Sequence, residues 1–156
     1  MGQVISIGYL LQHTASILTR QSDQVLQERL GIGMSQYKLL MMLQNSPNTQ
    51  QRKLAECLGQ TEASISRQIK LLCEKGMMTI KVNPKSRREH IAVLTPRGSK
   101  MTDAASDVLE QYHGPILDQL SEKQQQQLIE MLTVIHQNTC MPGKPFSCDH
   151  TFDQKV

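Results

Sequence analysis

Ala63, Ser64, Ser66, Arg67, Gln68 and Lys70 fall within little more than two turns of what reads as a helix. Grouped on one face, these residue types suit the reading of a nucleic acid. Small side chains let the backbone approach a groove, a guanidinium bonds bidentately to a guanine edge, and a glutamine reaches an adenine or a phosphate. Further on, Lys85, Arg87 and Arg88 form a second basic group, with Ser86 between them. A polar, basic helix face is usually only solvated, and a basic turn is common. Here the two lie in adjacent elements of one charged segment. Residues 49–100 hold eleven Lys or Arg against four Asp or Glu, a local excess of +7, in a chain whose net charge is only +3. Such a basic middle, flanked by acidic ends, points to a surface that meets a polyanion.

Other classes are less well served. The 156 residues suffice for one domain with one core. Aromatics make up 3% and Trp is absent, so nine Met with the Leu and Ile must fill that core, which favours helices. No apolar run approaches the roughly 20 residues of a membrane span, and no secretory leader is evident, so a cytoplasmic protein without membrane contact is expected. Cys57, Cys73, Cys140 and Cys148 contain no CxxC pair and read as reduced thiols. His136, Cys140, Cys148 and His150 have the ligand types of a zinc site, but their spacing matches none, and neither metal nor cofactor is expected. No Ser/His/Asp cluster or phosphate-binding glycine loop suggests an enzyme.

The elements that must position the basic residues follow from periodicity and punctuation. Residues 4–30 read as one long helix ended by Gly31-Ile32-Gly33, too long to pack along a small domain without projecting. It suits a dimer interface or a solvent-bridging role. Ser35 is expected to cap a helix through Gln44, with Leu39, Leu40 and Leu43 as its apolar face. A short helix over 50–58, stopped by Gly59, leads through a tight turn to a helix over 62–75 capped by Thr61. There Ile65, Ile69 and Leu72 gather opposite Ala63, Arg67 and Lys70, with Ser64 and Ser66 flanking. Met77–Val82 and Ile91–Thr95 read as a hairpin, with residues 83–88 as its turn. Thr95-Pro96 opens another helix, striped by Met101, Ala104 or Ala105, Val108 and Tyr112, which Gly114-Pro115 should kink or break. Ser121–Gln124 fits a capping box for a last helix to about Thr139, and residues 141–156 read as a mobile tail. The sum is a mainly α chain with a small β-hairpin wing. It forms a winged helix-turn-helix over 35–98, framed by helices at 1–34 and 99–140.

In this order the chain resembles the MarR-type transcriptional regulators. The matching residues are Leu54-Ala55-Glu56, Thr61 to Ile69, Leu72, Glu74-Lys75-Gly76, Arg88, Val93-Leu94-Thr95 and Gly98. The resemblance implies a homodimer built by the terminal helices, with both winged lobes on one double-stranded DNA. It implies a repressor that occludes a pseudo-palindromic operator. By position Arg67 is similar to the base-reading arginine, Ser64 and Ser66 to small groove contacts, and Arg88 to the minor-groove arginine of the wing. Thr61, Gln68 and Lys70 complete the recognition-helix surface. Lys85 and Arg87 are expected on phosphates, as are Gln51, Arg52, Ser35 and Gln36. The family wing usually carries Asp two residues before its arginine, where this chain has Ser86. The resemblance also implies a small-molecule effector of unknown identity in a cleft, with Tyr9, His13, Tyr37 and Met41 as candidate lining, although Tyr and Met on helical stripes are usually core. Two other readings remain: a winged-helix module that binds protein rather than DNA, and a thiol- or metal-responsive sensor.

Overall fold

The computed structural model describes residues 2–83 and 86–139, without the side chains of residues 3–5 and 87–90. The elements run α1 (Gly2–Leu30), α2 (Met34–Asn45), α3 (Gln51–Leu58), α4 (Glu62–Glu74), β1 (Met78–Asn83), β2 (Ser86–Leu94), α5 (Pro96–Leu117) and α6 (Glu122–Thr139). Type and order are those read from the sequence. Lys85 and the expected tail, with Cys140, Cys148 and His150, lie outside the described residues.

The core sits in the lobe formed by α2, α3, α4 and the base of the hairpin. Leu39, Leu40, Leu54, Ile65 and Leu72 are fully buried there, joined by Leu26 from α1 and Ala105 from α5. Each such aliphatic side chain contributes on the order of 1.5–3 kcal/mol by leaving water. Long helices α1 and α5 pack on each other and on α2. β1 and β2 pair antiparallel from Met78↔Leu94 to Val82↔His90, with an irregularity before Asn83↔Ser86.

Four expectations need correction. Gly33, not Ser35, caps α2, and the bond to the Met34 N–H comes from Asp23 of α1 at 2.7 Å. Ser86, Arg87 and Arg88 belong to β2 rather than to a turn. Helix α5 continues through Gly114 and Pro115 to Leu117. Proline there removes only one bond, to the carbonyl of exposed Gln111 in the last turns, and the Asp118 N–H still bonds the Gly114 carbonyl at 2.8 Å. The fully buried stripe of α5 is Gly98, Thr102, Ala105 and Leu109; of the expected stripe Ala105 belongs to it, while Met101 and Val108 pack half-buried beside it. Thr102 joins it because its hydroxyl donates to the Gly98 carbonyl at 2.9 Å, which removes the cost of burying it.

Candidate nucleic-acid interface

Leu54 and Ala55 of α3 turn inward to the cluster that holds Ile65, Ile69 and Leu72 of α4. Gly59 makes the turn between these helices at φ 62°, a left-handed conformation that favours glycine, and its N–H bonds the last carbonyls of α3. Thr61 then caps α4 through a 3.1 Å bond from the Ser64 N–H to its hydroxyl. Gln51 fastens the two helices by donating to the Glu62 carbonyl at 3.0 Å. The orientation of α4 is therefore set by an apolar stripe below and by caps and cross-bonds at its start.

The outer face of α4 divides in two. Ala63, Ser66, Arg67 and Lys70 are exposed. Arg67 and Lys70 have no ion-pair partner among the described residues, so both cations face solvent. Ser64 and Gln68 are half-buried and turn toward Gln60 instead, at 3.1 and 2.7 Å. Arg52 lies exposed beside α4's start, paired with Glu56 at 3.1 Å. A surface pair of this kind is worth about 0–1 kcal/mol, little enough for a phosphate to replace the carboxylate.

At α2's start Gln36 accepts from the Gly33 N–H at 3.3 Å, and Ser35 is exposed and accepts from Gln60 at 3.1 Å. The Asp23 carboxylate already occupies this helix N-terminus, where an anion is favoured. Lys75, at the end of α4, donates to the Gly31 carbonyl at 2.8 Å and ties the lobe to the end of α1.

The hairpin is closed at its base by Thr95. Its N–H bonds the Met77 carbonyl at 3.1 Å, its hydroxyl donates to the Gly76 carbonyl at 2.8 Å, and the same hydroxyl caps α5 by accepting from the Gly98 N–H. A Cβ on Gly98 would lie 2.0 Å from the Met77 carbonyl oxygen, so only glycine fits. The Leu94-Thr95 to Gly98 motif is thus the clasp that fixes the wing against α4. The backbones of Arg87 and Arg88 run in β2; their side chains, like all of Lys85, lie outside the described residues.

The candidate effector residues do not converge within one chain. Tyr37 is core, and its hydroxyl bonds that of Ser106 at 3.1 Å. Met41 is half-buried against the same core. Tyr9 and His13 stack on each other at 5.4 Å on an exposed stretch of α1, with Tyr9 about 20 Å of helix away from Ser22, where α1 meets α5 through His113. Burial pushes the Cys73 thiol above its ordinary range, and the neighbouring Glu74 carboxylate adds to the effect. Cys73 is therefore a protonated thiol at neutral pH, not a ready nucleophile. Among the described residues no group of three or more His, Cys, Asp and Glu could hold a metal ion, and no helix is long and apolar enough to cross a membrane.

The MarR family model matches residues 32–90, from the start of α2 through most of the wing. The HTH-type transcriptional repressor Mb2911 of Mycobacterium bovis is 26% identical over 126 residues, covering 81% of this chain and 90% of that one. Over residues 32–90 the chain is similar to the MarR family. Among solved structures, the MarR-family protein Rv2887 of Mycobacterium tuberculosis in complex with salicylic acid superposes with a TM-score of 0.69 at 26% identity, over 82% of this chain and 94% of that one. CouR of Rhodococcus jostii bound to p-coumaroyl-CoA gives 0.70 at 22% identity, over 83% and 90%. By these similarities the chain is a MarR-like transcriptional regulator rather than an enzyme.

Sequence reasoning gave no structural role to three residues of the candidate interface. Asp23 and Lys75 act on helix ends far away in the chain, which no local pattern reveals. Gln60 sits in a turn, where periodicity is silent, although its place just before a helix cap marks it as facing α4.

Proposed function

We propose that this chain belongs to the MarR family, that it is a homodimeric repressor that reads a pseudo-palindromic operator in double-stranded DNA, and that it works in the cytoplasm. The observation that carries the reading is the exposed Ser66, Arg67 and Lys70 face of a capped, rigidly seated helix. Helix α4 enters the major groove. Arg67 meets a guanine edge, and Lys70 and Arg52 meet phosphates. The wing reaches the neighbouring minor groove, with Arg88 inserted and Lys85 and Arg87 on the backbone.

Dimerisation is supported by the apolar surface that one chain leaves uncovered. Helix α6 buries no residue, yet exposes Ile129, Met131, Leu132, Val134 and Ile135; α1 likewise exposes Ile7, Leu10 and Leu11. A patch of this size marks an interaction site, and a second copy of the same helices covers it. Salicylic acid on one relative and p-coumaroyl-CoA on another support release by a small aromatic effector. Its cleft lies between the dimer helices and the winged lobe, and Tyr9 and His13 border it only through the second copy, since they do not converge with Met41 within one chain.

Selection of bound duplexes from a randomised pool at near-physiological salt tests the reading. An enriched inverted repeat with half-sites about one helical turn apart is expected. Retention without enrichment, or none, overturns it. Salicylate then tests the effector arm: it should weaken binding to the selected operator, and unchanged affinity over a full titration removes that class of ligand.

A further inference from the structure

Gln60 holds the two recognition-helix side chains that turn away from solvent. Its backbone is fixed by a 2.9 Å bond from its N–H to the Ala55 carbonyl, just after the left-handed Gly59. Its side-chain oxygen accepts from the Ser64 hydroxyl at 3.1 Å and from the Gln68 amide at 2.7 Å. Its side-chain nitrogen donates to the Ser35 hydroxyl at 3.1 Å, across to α2. Gln68 also approaches the Ser64 hydroxyl at 3.5 Å. One turn residue thus ties together α2 and two consecutive turns of α4.

The arrangement keeps Gln68 in an unfavourable position. Its side-chain oxygen is buried and has no hydrogen-bond partner among the described residues. A glutamine on an amphipathic helix would otherwise turn that oxygen to water. The short bond to Gln60 holds the amide inward.

We propose that Gln60 is a positioning residue that sets sequence specificity: it withdraws Ser64 and Gln68 from the groove and leaves Ser66 and Arg67 to read bases. The inference rests on the DNA-reading role proposed above. It narrows the reading set that residue type alone would assign to this helix. It also makes specificity depend on a residue that need not touch DNA. With Gln60 made apolar, Ser64 and Gln68 lose their inward partners, and both carry groups that pair with base edges.

The test is duplex selection with the full chain as wild type, Gln60→Met and Gln68→Ala. Methionine keeps the length of the side chain and removes every polar atom. Gln60→Met is expected to gain a base preference of about tenfold at a pair beside the one Arg67 reads, and the double variant Gln60→Met/Gln68→Ala to lose that gain. Gln68→Ala alone is expected to select the wild-type operator with relative affinities changed by less than about twofold. This second arm stands whether or not Gln60→Met folds. An unchanged operator for folded Gln60→Met overturns the proposal, and so does a lost base preference in Gln68→Ala, which would make Gln68 a direct reader. A wild-type chain that selects no sequence overturns the DNA-reading role and this inference with it; a wild-type chain that selects an operator separates the two failures.

Discussion

Helices α4 and α6 carry the same kind of amphipathic pattern, and the structure treats them oppositely. In α4 the apolar residues Ile65, Ile69 and Leu72 are buried inside the chain that bears them, and the polar face is outward. In α6 Leu128 is half-buried and the other apolar residues remain exposed, Val134 at 59% and Met131 at 58%. Periodicity therefore says that a face will be covered, not by what. The helix proposed to meet DNA is seated by its own lobe, whereas the helix proposed to meet a second copy buries none of its side chains against the other described residues.

Charging α6 should break this contrast most severely. The double substitution Leu132→Glu/Ile135→Glu places four carboxylates in the proposed dimer core, where unpaired charge costs several kcal/mol each. Light scattering should report the monomer mass, and operator affinity should fall about a thousandfold or more. A monomer mass for the unsubstituted chain would show instead that α6 needs no partner. Opening the seat of α4 comes next. Ile69→Ala should cost about 2–5 kcal/mol in denaturant unfolding, because a buried branched side chain leaves a cavity. A loss under about 1 kcal/mol would mean that the stripe is loosely packed.

The outer face sharpens the comparison from the other side. Arg67→Ala should leave the unfolding midpoint in place and cost about 1–3 kcal/mol of operator affinity, with relaxed preference at one base pair per half-site. Binding that weakens equally on all duplexes would reassign Arg67 to phosphate. Thr61→Ala, which removes only the cap of α4, should lower stability by about 1 kcal/mol. Calorimetry would detect that shift, and its absence would show that the Gln51 cross-bond alone is enough to hold the start of the helix.

The legible parts of the molecule are those governed by local rules. Ile65, Ile69 and Leu72 declared the inner face of α4 by spacing, Thr61 its cap, and Gly59 the turn before it. Exposed Ser66, Arg67 and Lys70 are where those rules put them. The illegible parts depend on groups distant in the chain. Ser35 looked like a cap because no local reading could supply the Asp23 carboxylate. Thr102 does not look like core by type, yet it is buried because the backbone of its own helix satisfies its hydroxyl. Ser64 and Gln68 look like readers by type, and only the fold shows Gln60 holding them. Tyr9 and His13 resemble Tyr37 by residue type, while the length of α1 holds them apart from it.

The Thr95 clasp makes the wing a module. Its bonds to Gly76, Met77 and Gly98 close the hairpin at its root, so the position of α4 does not depend on the chain between Asn83 and Ser86. Lengthening a loop is cheap once its ends are held, about 0.6 kcal/mol for each doubling. Descendants of this sequence are therefore free to lengthen, shorten or recharge the segment between Asn83 and Ser86 while α4 stays in register, so that the contacts proposed for the wing can drift without those proposed for α4.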